Sequence, residues 1–431
     1  MEPAPAEPGW PPAHTAWTAV ALLNLAYLVS FIDRSILGLL VEPIKADLHL
    51  SDTEFALLQG AAFGLFYSLL GIPFGWAIDR LNRTRLIGLC CALWCLMTVA
   101  CGVASSFARL FVARMGVGVG EAALSPGAAS LIADLFPPAK RPLAMSVYAS
   151  GASIGIGLSM VIGGGLVALF SSVPLPNPVP FIAEMRVWQR VLVSVGLIGL
   201  PIAAAIPLLP EPARREASPV RADLRAIFVF LGRYRARFIG QFGGIALYGL
   251  VTYALIGWVP ALLIRVHGWT ATAAGVGFGT IFLVCGPLGA LSGGVIASVL
   301  RQRGWREPEL STAAIGVFIS LPCSIMAGLA GSGVAALAWL APVALGFAIP
   351  TGPSIAAIQQ VTPNQLRGQV AALYYLVISL IGLLLGPLVV ALLTDNLFHD
   401  PRMLGSAIAL VAGVTDPLAI ALLVLAMRRP A

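Results

Sequence analysis

The chain has 431 residues, of which 58% are hydrophobic and only 10% are charged, and its mean hydropathy is +0.92. Soluble domains carry about 25% charged residues, so this composition excludes a soluble protein and predicts one that crosses a membrane repeatedly. The net charge of +7 does not indicate nucleic-acid binding, because the basic residues are spread over short segments between apolar runs.

Twelve apolar runs are each long enough to cross about 30 Å of hydrocarbon. They predict an all-α polytopic membrane protein with an N-terminal six-helix bundle (residues 1–209, after a short flexible N-terminus), a cytoplasmic linker (210–237) and a C-terminal six-helix bundle (238–431). The predicted spans are Ala16–Val41, Thr53–Ile78, Leu86–Ser105, Leu110–Ala133, Leu143–Phe170, Val187–Leu209, Phe238–Ile264, Ala273–Leu300, Leu310–Leu329, Val334–Gln359, Leu366–Leu393 and Leu404–Met427.

The basic residues predict the orientation. With the N-terminus in the cytoplasm, eighteen of the 26 basic residues lie in inner segments, six lie in outer loops, and Arg34 and Arg114 lie inside spans. The positive-inside rule therefore places both termini in the cytoplasm. Only Lys45 and Lys140 are lysines, which indicates a GC-rich bacterial genome and hence a multi-pass protein of the inner membrane.

The linker has an amphipathic pattern that predicts a short helix at the membrane interface, where its arginines would meet anionic lipid headgroups. Ordinary positive-inside charge on a tether is the alternative. The apolar face of this predicted helix consists of Val220, Leu224, Ile227, Phe228 and Leu231.

Cofactor chemistry is not expected. The six cysteines fall inside apolar spans, and the four histidines lie outside spans or at their ends. No metal-ligand cluster or nucleophile–base pair is visible in the sequence, so we expect no metal, no cofactor except protons as coupling ion, and no enzymatic activity.

Four ionisable side chains lie inside spans one and four. Asp33 and Arg34 are adjacent, whereas Arg114 and Glu121 are seven residues apart and therefore share one helical face, roughly 10 Å apart along the axis. Charges at this depth cost several kcal/mol unless they are paired or wetted. A structural ion pair is one interpretation, but two charged pairs in two spans favour a working site.

The two halves of the chain repeat. Arg83 after span two matches Arg301 after span eight at an offset of 218, and Pro126 matches Pro353 at an offset of 227. Repeated six-span halves are typical of secondary transporters that bind substrate between the halves. A channel or a membrane-embedded enzyme fits this pattern less well.

The segment after span two, GWAIDRLNRTR, resembles the cytoplasmic signature motif of the major facilitator superfamily, G-x-x-x-D-R/K-x-G-x-R/K-R/K. It departs from the motif at Asn82 and Thr84. A carboxylate at a helix C-terminus opposes the helix dipole unless it is paired, so Asp79 is expected to bind across the halves as a conformational latch. The predicted latch consists of Gly75, Asp79, Arg80, Arg83 and Arg85.

Three further stretches, FIDR at 31–34, RMGVGVGEAALSP at 114–126 and DLFP at 134–137, resemble the Spinster family of that superfamily. The resemblance implies a proton-coupled carrier of amphiphilic lipids, such as lysophospholipids or sphingoid phosphates, working by alternating access. It further implies that Asp33 and Glu121 bind protons and that Arg114 couples them, with Arg34 beside them. We expect Arg114 to exchange between the carboxylates of Asp33 and Glu121. A lipid phosphate is expected to compete with these carboxylates for Arg114.

The C-terminal half lacks counterparts of these charges, so the cavity is expected to be polar on one side and apolar on the other, which suits an amphiphile. The alternative cargo is a drug or organic ion on the same fold. The expected partners are a lipid substrate and membrane lipids, without nucleic acid, and the expected state is a monomer. Asp416 in span twelve is expected to be a paired or solvated structural residue rather than a second proton site. Candidate cavity residues, for which helix packing is an equal alternative, are Gln59, Tyr67, Gln241, Tyr248, Gln359, Tyr374 and Tyr375.

Overall fold

The structure is a computed structural model that describes residues 10–172, 185–215, 224–363 and 366–428, and these residues form helices and turns without a strand. Part of the predicted linker, including Val220, lies outside the described residues. The α-helices are α1 (Ala13–Leu39), α2 (Val41–Leu48), α3 (Asp52–Gln59), α4 (Phe66–Arg80), α5 (Arg83–Gly102), α6 (Phe107–Glu121), α7 (Leu124–Leu135), α8 (Arg141–Ser172), α9 (Val187–Ala205), α10 (Leu224–Arg233), α11 (Arg235–Arg265), α12 (Ala271–Gln302), α13 (Pro308–Gly328), α14 (Gly333–Ala348), α15 (Thr351–Val361), α16 (Arg367–Ile378), α17 (Leu385–Leu392) and α18 (Leu404–Arg428).

Eleven helical segments of the described chain are long and apolar enough to cross a membrane. The remaining predicted span, the fourth, is divided between α6 and α7, as the tenth is between α14 and α15. It differs from the tenth in containing Arg114 and Glu121, which lower its hydropathy. Pro126 accounts for the division, because it lacks an N–H and its ring crowds the carbonyl of Ala122 in the turn between the two helices. Pro353 has the same place after the break between α14 and α15, so the repeat seen in the sequence is also a repeat of the fold. The predicted all-α membrane fold is confirmed.

Two of the spans contain π-helical turns. Ala61–Leu65 joins α3 to α4 in span two, and Ser379–Leu384 joins α16 to α17 in span eleven. These turns pack against each other across the two halves. A methyl group added at Gly60 would lie 2.6 Å from the Leu384 carbonyl oxygen, so a side chain there would separate the two spans. π-Turns inside α-helices frequently mark functional sites.

The halves meet on the membrane side opposite the linker. There α8 packs along α12, and a methyl group added at Gly279 would lie 2.6 Å from the Gly157 carbonyl oxygen. On the linker side, α4 packs against α5, α6 and α7 of the N-terminal half, whereas α16 packs against α11 and α15 of the C-terminal half. The space between the halves therefore opens toward the linker side, which the charge distribution predicts to be cytoplasmic.

An ionic bridge holds the closed side. Arg265 at the end of α11 binds Asp52 (Nη1–Oδ2 2.7 Å) and Glu42 (Nη2–Oε1 2.7 Å) of the N-terminal half. Lys45 also pairs with Asp52. Thr53 donates from its backbone N–H and its hydroxyl to Asp395 Oδ2, both at 2.7 Å. Charged and polar side chains of the two halves thus bind each other on the membrane side opposite the linker.

Removing Arg265 should weaken that closed side. In Arg265→Ala, buried Asp52 keeps Lys45 but loses its partner from the other half. We expect a loss of roughly 1–3 kcal/mol from the closed arrangement, which is about a fivefold to 150-fold change in the population ratio. Spin-label distances across this side should lengthen in Arg265→Ala. They should stay unchanged in Arg402→Ala, an exposed arginine on the same side; equal distances in both variants would contradict the bridge.

The predicted latch residues lie on the open side. Asp79 is exposed and has no ion-pair partner within the described ranges, Arg80 and Arg85 are exposed, and Gly75 faces open space. Arg83 is different, because it is fully buried within its own half. It pairs with Asp134 of α7 and with Glu211 of the linker start (Nε–Oε1 2.6 Å). Whether Asp79 binds across the halves when the linker side closes stays a prediction.

Arg83 should therefore matter for stability. Arg83→Ala leaves Asp134 and Glu211 without their cation and removes the donor to the Pro212 carbonyl at 2.8 Å. Breaking such a buried pair costs about 3 kcal/mol. We expect a clear drop in thermal unfolding temperature in detergent, whereas Arg85→Ala, two residues away and exposed, should change stability by less than about 0.5 kcal/mol. A similar melting temperature in both variants would show that the network contributes little.

Candidate functional site: paired charges between spans one and four

Two ion pairs connect α1 to α6 at the centre of the N-terminal half. Arg114 Nη1 lies 3.2 Å from Asp33 Oδ1, and Arg34 Nε lies 2.6 Å from Glu121 Oε2. Asp33, Arg114 and Glu121 are each 1% exposed. The four charges sum to zero, so the cluster satisfies its charges within a buried site.

Hydroxyl groups complete both pairs. Thr98 on α5 donates to Asp33 Oδ2, and Ser30, one helical turn before Arg34, donates to Glu121 Oε2 at 2.6 Å. Glu121 Oε1 has no hydrogen-bond partner in the described chain. Glu121 therefore has one oxygen that accepts two bonds and a second that is free to carry a proton.

Arg34 lies among aromatic rings. Its guanidinium carbon is 4.3 Å from the ring centroid of Tyr67, 4.7 Å from that of Phe63 and 4.9 Å from that of Phe31. Tyr253 of the C-terminal half lies near Arg34, because α11 packs against α1. The Arg34 side chain is 10% exposed. Arg34 therefore lies between the buried ion pairs and the space between the halves.

Local backbone features bring these groups together. A methyl group at Gly118 would lie 2.5 Å from the Phe63 carbonyl oxygen, so α6 packs directly on the π-turn of span two. That turn presents Phe63 to both arginines, since Arg114 is 5.2 Å from the same ring centroid. Glu121 is the last residue of α6, immediately before the break in span four. A charge-bearing side chain thus lies directly at the break in span four.

The structure shows one of the two positions expected for Arg114, and its exchange between the carboxylates stays a prediction. Arg114 binds Asp33 as predicted, but Glu121 is bound by Arg34 and not by Arg114. Asp33 and Arg34 are successive residues of α1, about 100° apart around the helix, so they reach different partners on α6. Each carboxylate has its own arginine, and Arg34 is the one that lies at the space between the halves.

The remaining predicted cavity residues lie in different surroundings. Gln59 is buried and donates to the Gly257 carbonyl oxygen of the other half at 3.3 Å. Gln241 is buried and donates to the Ser354 carbonyl oxygen at 2.7 Å, whereas Gln359 is exposed. Tyr374 is buried against Tyr375, which is 57% exposed. Tyr67 faces Arg34 directly, so among these residues it is the one the structure brings to the paired charges.

Two further residues, Tyr248 and Asp416, are buried inside the C-terminal half. Tyr248 is buried, with its hydroxyl 2.5 Å from Ser320 Oγ. Asp416 is fully buried and neither of its carboxylate oxygens has a hydrogen-bond partner in the described chain. The expectation that Asp416 is paired or solvated is therefore wrong for this conformation.

Sequence reasoning missed several groups at the site, namely Ser30, Phe63, Thr98 and Tyr253. Ser30 could have been found, because it precedes Arg34 by four residues and so shares its helical face. The other three come from spans two, three and seven, and their approach depends on helix arrangement that a single-helix pattern does not contain.

Comparison with known proteins agrees with this fold. The family model of the Major Facilitator Superfamily matches residues 23–387. An MFS-type efflux pump of Mycolicibacterium smegmatis is 29% identical over 403 residues, which cover 92% of this chain and 89% of that protein. Protein spinster homolog 1 of Homo sapiens is 28% identical over 406 residues, covering 85% of this chain and 72% of that protein.

Among solved structures, a bacterial homologue of the human lysosomal transporter Spinster, inward-facing and unoccupied, superimposes with a TM-score of 0.78 at 27% identity. It covers 97% of this chain and 96% of that chain. The chain belongs to the Major Facilitator Superfamily and is a multi-pass membrane transporter, not an enzyme. Within the superfamily it is a Spinster-like transporter, as the motifs in spans one and four predicted.

Proposed function

We propose that this chain is a proton-coupled secondary transporter that moves amphiphilic lipids of the lysophospholipid or sphingoid type across the bacterial inner membrane by alternating access. The observation that carries the proposal is the Arg34–Glu121 pair, because it places a buried carboxylate and a cavity-facing cation in one contact. No metal or organic cofactor is required, since the proton is the coupling ion.

The coupling mechanism follows from that contact. A proton on Glu121 removes the negative charge that holds Arg34, so the guanidinium becomes available to an anionic headgroup, which it can bind bidentately. Proton and headgroup therefore bind cooperatively at neighbouring positions. Asp33 keeps Arg114 in place while Arg34 changes partner. The anionic headgroup then replaces the Glu121 carboxylate as the counter-charge of Arg34. The halves can rock while Arg34 remains paired.

The C-terminal face of the cavity supports an amphiphilic cargo. Residues 310–362 of the C-terminal half contain no acidic or basic side chain, so we expect this half to offer mainly apolar contacts to a hydrocarbon tail. The opposite wall offers Arg34 with its aromatic neighbours for the headgroup. A sugar would need hydrogen bonds on all faces, which this apolar wall does not provide.

The alternative is a proton-coupled drug or organic-ion transporter of the same fold. The similarity to an efflux pump over 92% of this chain favours it, and the same apolar wall fits a drug. The purified chain in proteoliposomes separates the two cargoes. Lysolipids with anionic and zwitterionic headgroups are compared with cationic dyes, each with and without an imposed pH gradient. Gradient-dependent lysolipid movement supports the proposal, and movement of dyes alone contradicts it.

A further inference from the structure

Asp416 is a buried carboxylate without a counter-charge, in the middle of α18. Its side chain is 0% exposed, and neither of its oxygens has a hydrogen-bond partner among the described residues. None of the ion pairs between described residues includes it. It lies inside the C-terminal half, where α18 packs against α11 and α13, away from the charges on α1 and α6.

The groups around Asp416 are polar but mostly not charged. Tyr248 lies on α11, which packs along α18, and its hydroxyl is 2.5 Å from Ser320 Oγ of α13. One turn further along α13, the buried hydroxyl of Ser324 also has no partner. Cys323 on the same helix is partly exposed. The hydroxyls of Tyr248, Ser320 and Ser324 can therefore donate and accept hydrogen bonds inside the C-terminal half.

Charged residues of the elements that pack on α18 lie near its two ends. At the inner end, Arg237 of α11 pairs with Glu307 at 2.6 Å, and Glu309 of α13 pairs with Arg301. Asp395, in the π-turn before α18, is bound by Thr53 at 2.7 Å, and Arg402 precedes the first turn of α18. The helix α17 contributes no titratable side chain to α18. No described cation therefore pairs with an ionised Asp416.

We propose that Asp416 is a second proton-binding site of this protein and that it holds a proton in this conformation. An ionised carboxylate in this position would lose its hydration and gain no ion pair, at an effective cost of several kcal/mol. The neutral acid avoids most of that cost and can donate one hydrogen bond to a nearby hydroxyl. The inference does not depend on the transported substrate.

A held proton has a consequence for stability. Asp416 ionises freely in the unfolded chain near neutral pH, so the folded state binds one more proton than the unfolded state. Stability contributed by this site is then lost as the pH rises. Asn has the shape of the neutral acid and cannot ionise, so Asp416→Asn should remove this slope. A packing role alone would not depend on pH.

The experiment compares the full chain, Asp416→Asn and Asp400→Asn in detergent. Asp400 is an exposed aspartate of the same half, and its side chain accepts from the Arg402 backbone N–H, which Asn also permits. Infrared spectra at neutral pH should show a protonated carboxylic acid carbonyl band that is lost in Asp416→Asn and kept in Asp400→Asn. The melting temperature of the wild type and of Asp400→Asn should fall from mildly acidic to alkaline pH, and that of Asp416→Asn should fall less.

Two results would overturn the proposal. One is an unchanged acid carbonyl band in Asp416→Asn together with parallel melting curves. The other is a stabilisation by sodium at constant ionic strength that Asp416→Asn loses, which would identify a cation site instead. If Asp416→Asn does not fold, Asp416→Leu provides the same comparison with an apolar side chain of similar size. Neither the infrared band nor the melting temperature depends on transport, so a failure of the proposed function would leave both results unaffected.

Discussion

Glu121→Gln is expected to abolish pH-gradient-driven transport in proteoliposomes while the protein remains folded. Gln has the size of Glu and can still accept the 2.6 Å hydrogen bond from Ser30, but it binds no proton. The variant should still exchange labelled for unlabelled substrate without a gradient, because exchange requires no net proton movement. Loss of gradient stimulation with retained exchange would separate coupling from binding.

Binding should change in a defined direction in the same variant. In the wild type, Glu121 occupies Arg34 until it takes up a proton, so affinity for an anionic lysolipid should rise as the pH falls. In Glu121→Gln, Arg34 has no carboxylate partner at any pH, and affinity should be high throughout the range. Ligand-induced quenching of tryptophan fluorescence, measured across pH, provides the test.

Glu54→Gln is the matched control. Glu54 is a half-buried carboxylate in the first turn of α3, where it completes a capping box with Ser51, and Gln maintains that role. Its transport and its binding profile should follow the wild type. Gradient-driven transport that survives in Glu121→Gln would remove Glu121 from the coupling mechanism, and a binding profile that still follows pH would remove it from the control of Arg34.

Much of this architecture could be predicted from the sequence, for identifiable reasons. Span positions follow from apolar length, and the depth of Asp33 and Arg114 follows from a fixed rise per residue. Both residues lie a similar distance from the ends of their helices, and the structure joins them at 3.2 Å. The break in span four also has a local cause in Pro126. Such features depend on one helix at a time.

The rest depends on how helices are arranged around one another. A helical wheel gives the face on which Arg34 lies but not the neighbour that this face meets, so its pairing with Glu121 was not predicted. Arg83 appeared to belong to a latch between halves, yet it binds Asp134 and Glu211 of its own side. Tyr253 reaches the site from a span more than two hundred residues along the chain from Arg34. Contacts between distant segments leave no periodicity in the sequence.

Arg114→Met is expected to produce a large loss of stability. Arg114 is 1% exposed and is the arginine whose Nη1 binds Asp33 Oδ1, so the variant leaves a buried carboxylate with only the Thr98 hydroxyl as a partner. Removing one member of a buried pair costs about 3–5 kcal/mol. Met retains much of the length and apolar volume of the Arg stem. The loss of stability therefore measures the missing positive charge more than a cavity in the packing.

A double-mutant cycle isolates that charge effect. Asp33→Asn alone leaves Arg114 unpaired, whereas Asp33→Asn combined with Arg114→Met removes both charges and leaves two neutral groups. The double variant should melt well above Arg114→Met, with a coupling free energy of roughly 2–3 kcal/mol. The deficit of Arg114→Met should also shrink in acid, because a proton on Asp33 neutralises the charge that lost its partner. Additive effects in the cycle, or a deficit that is the same at every pH, would show that Arg114 stabilises the bundle through packing and not through Asp33.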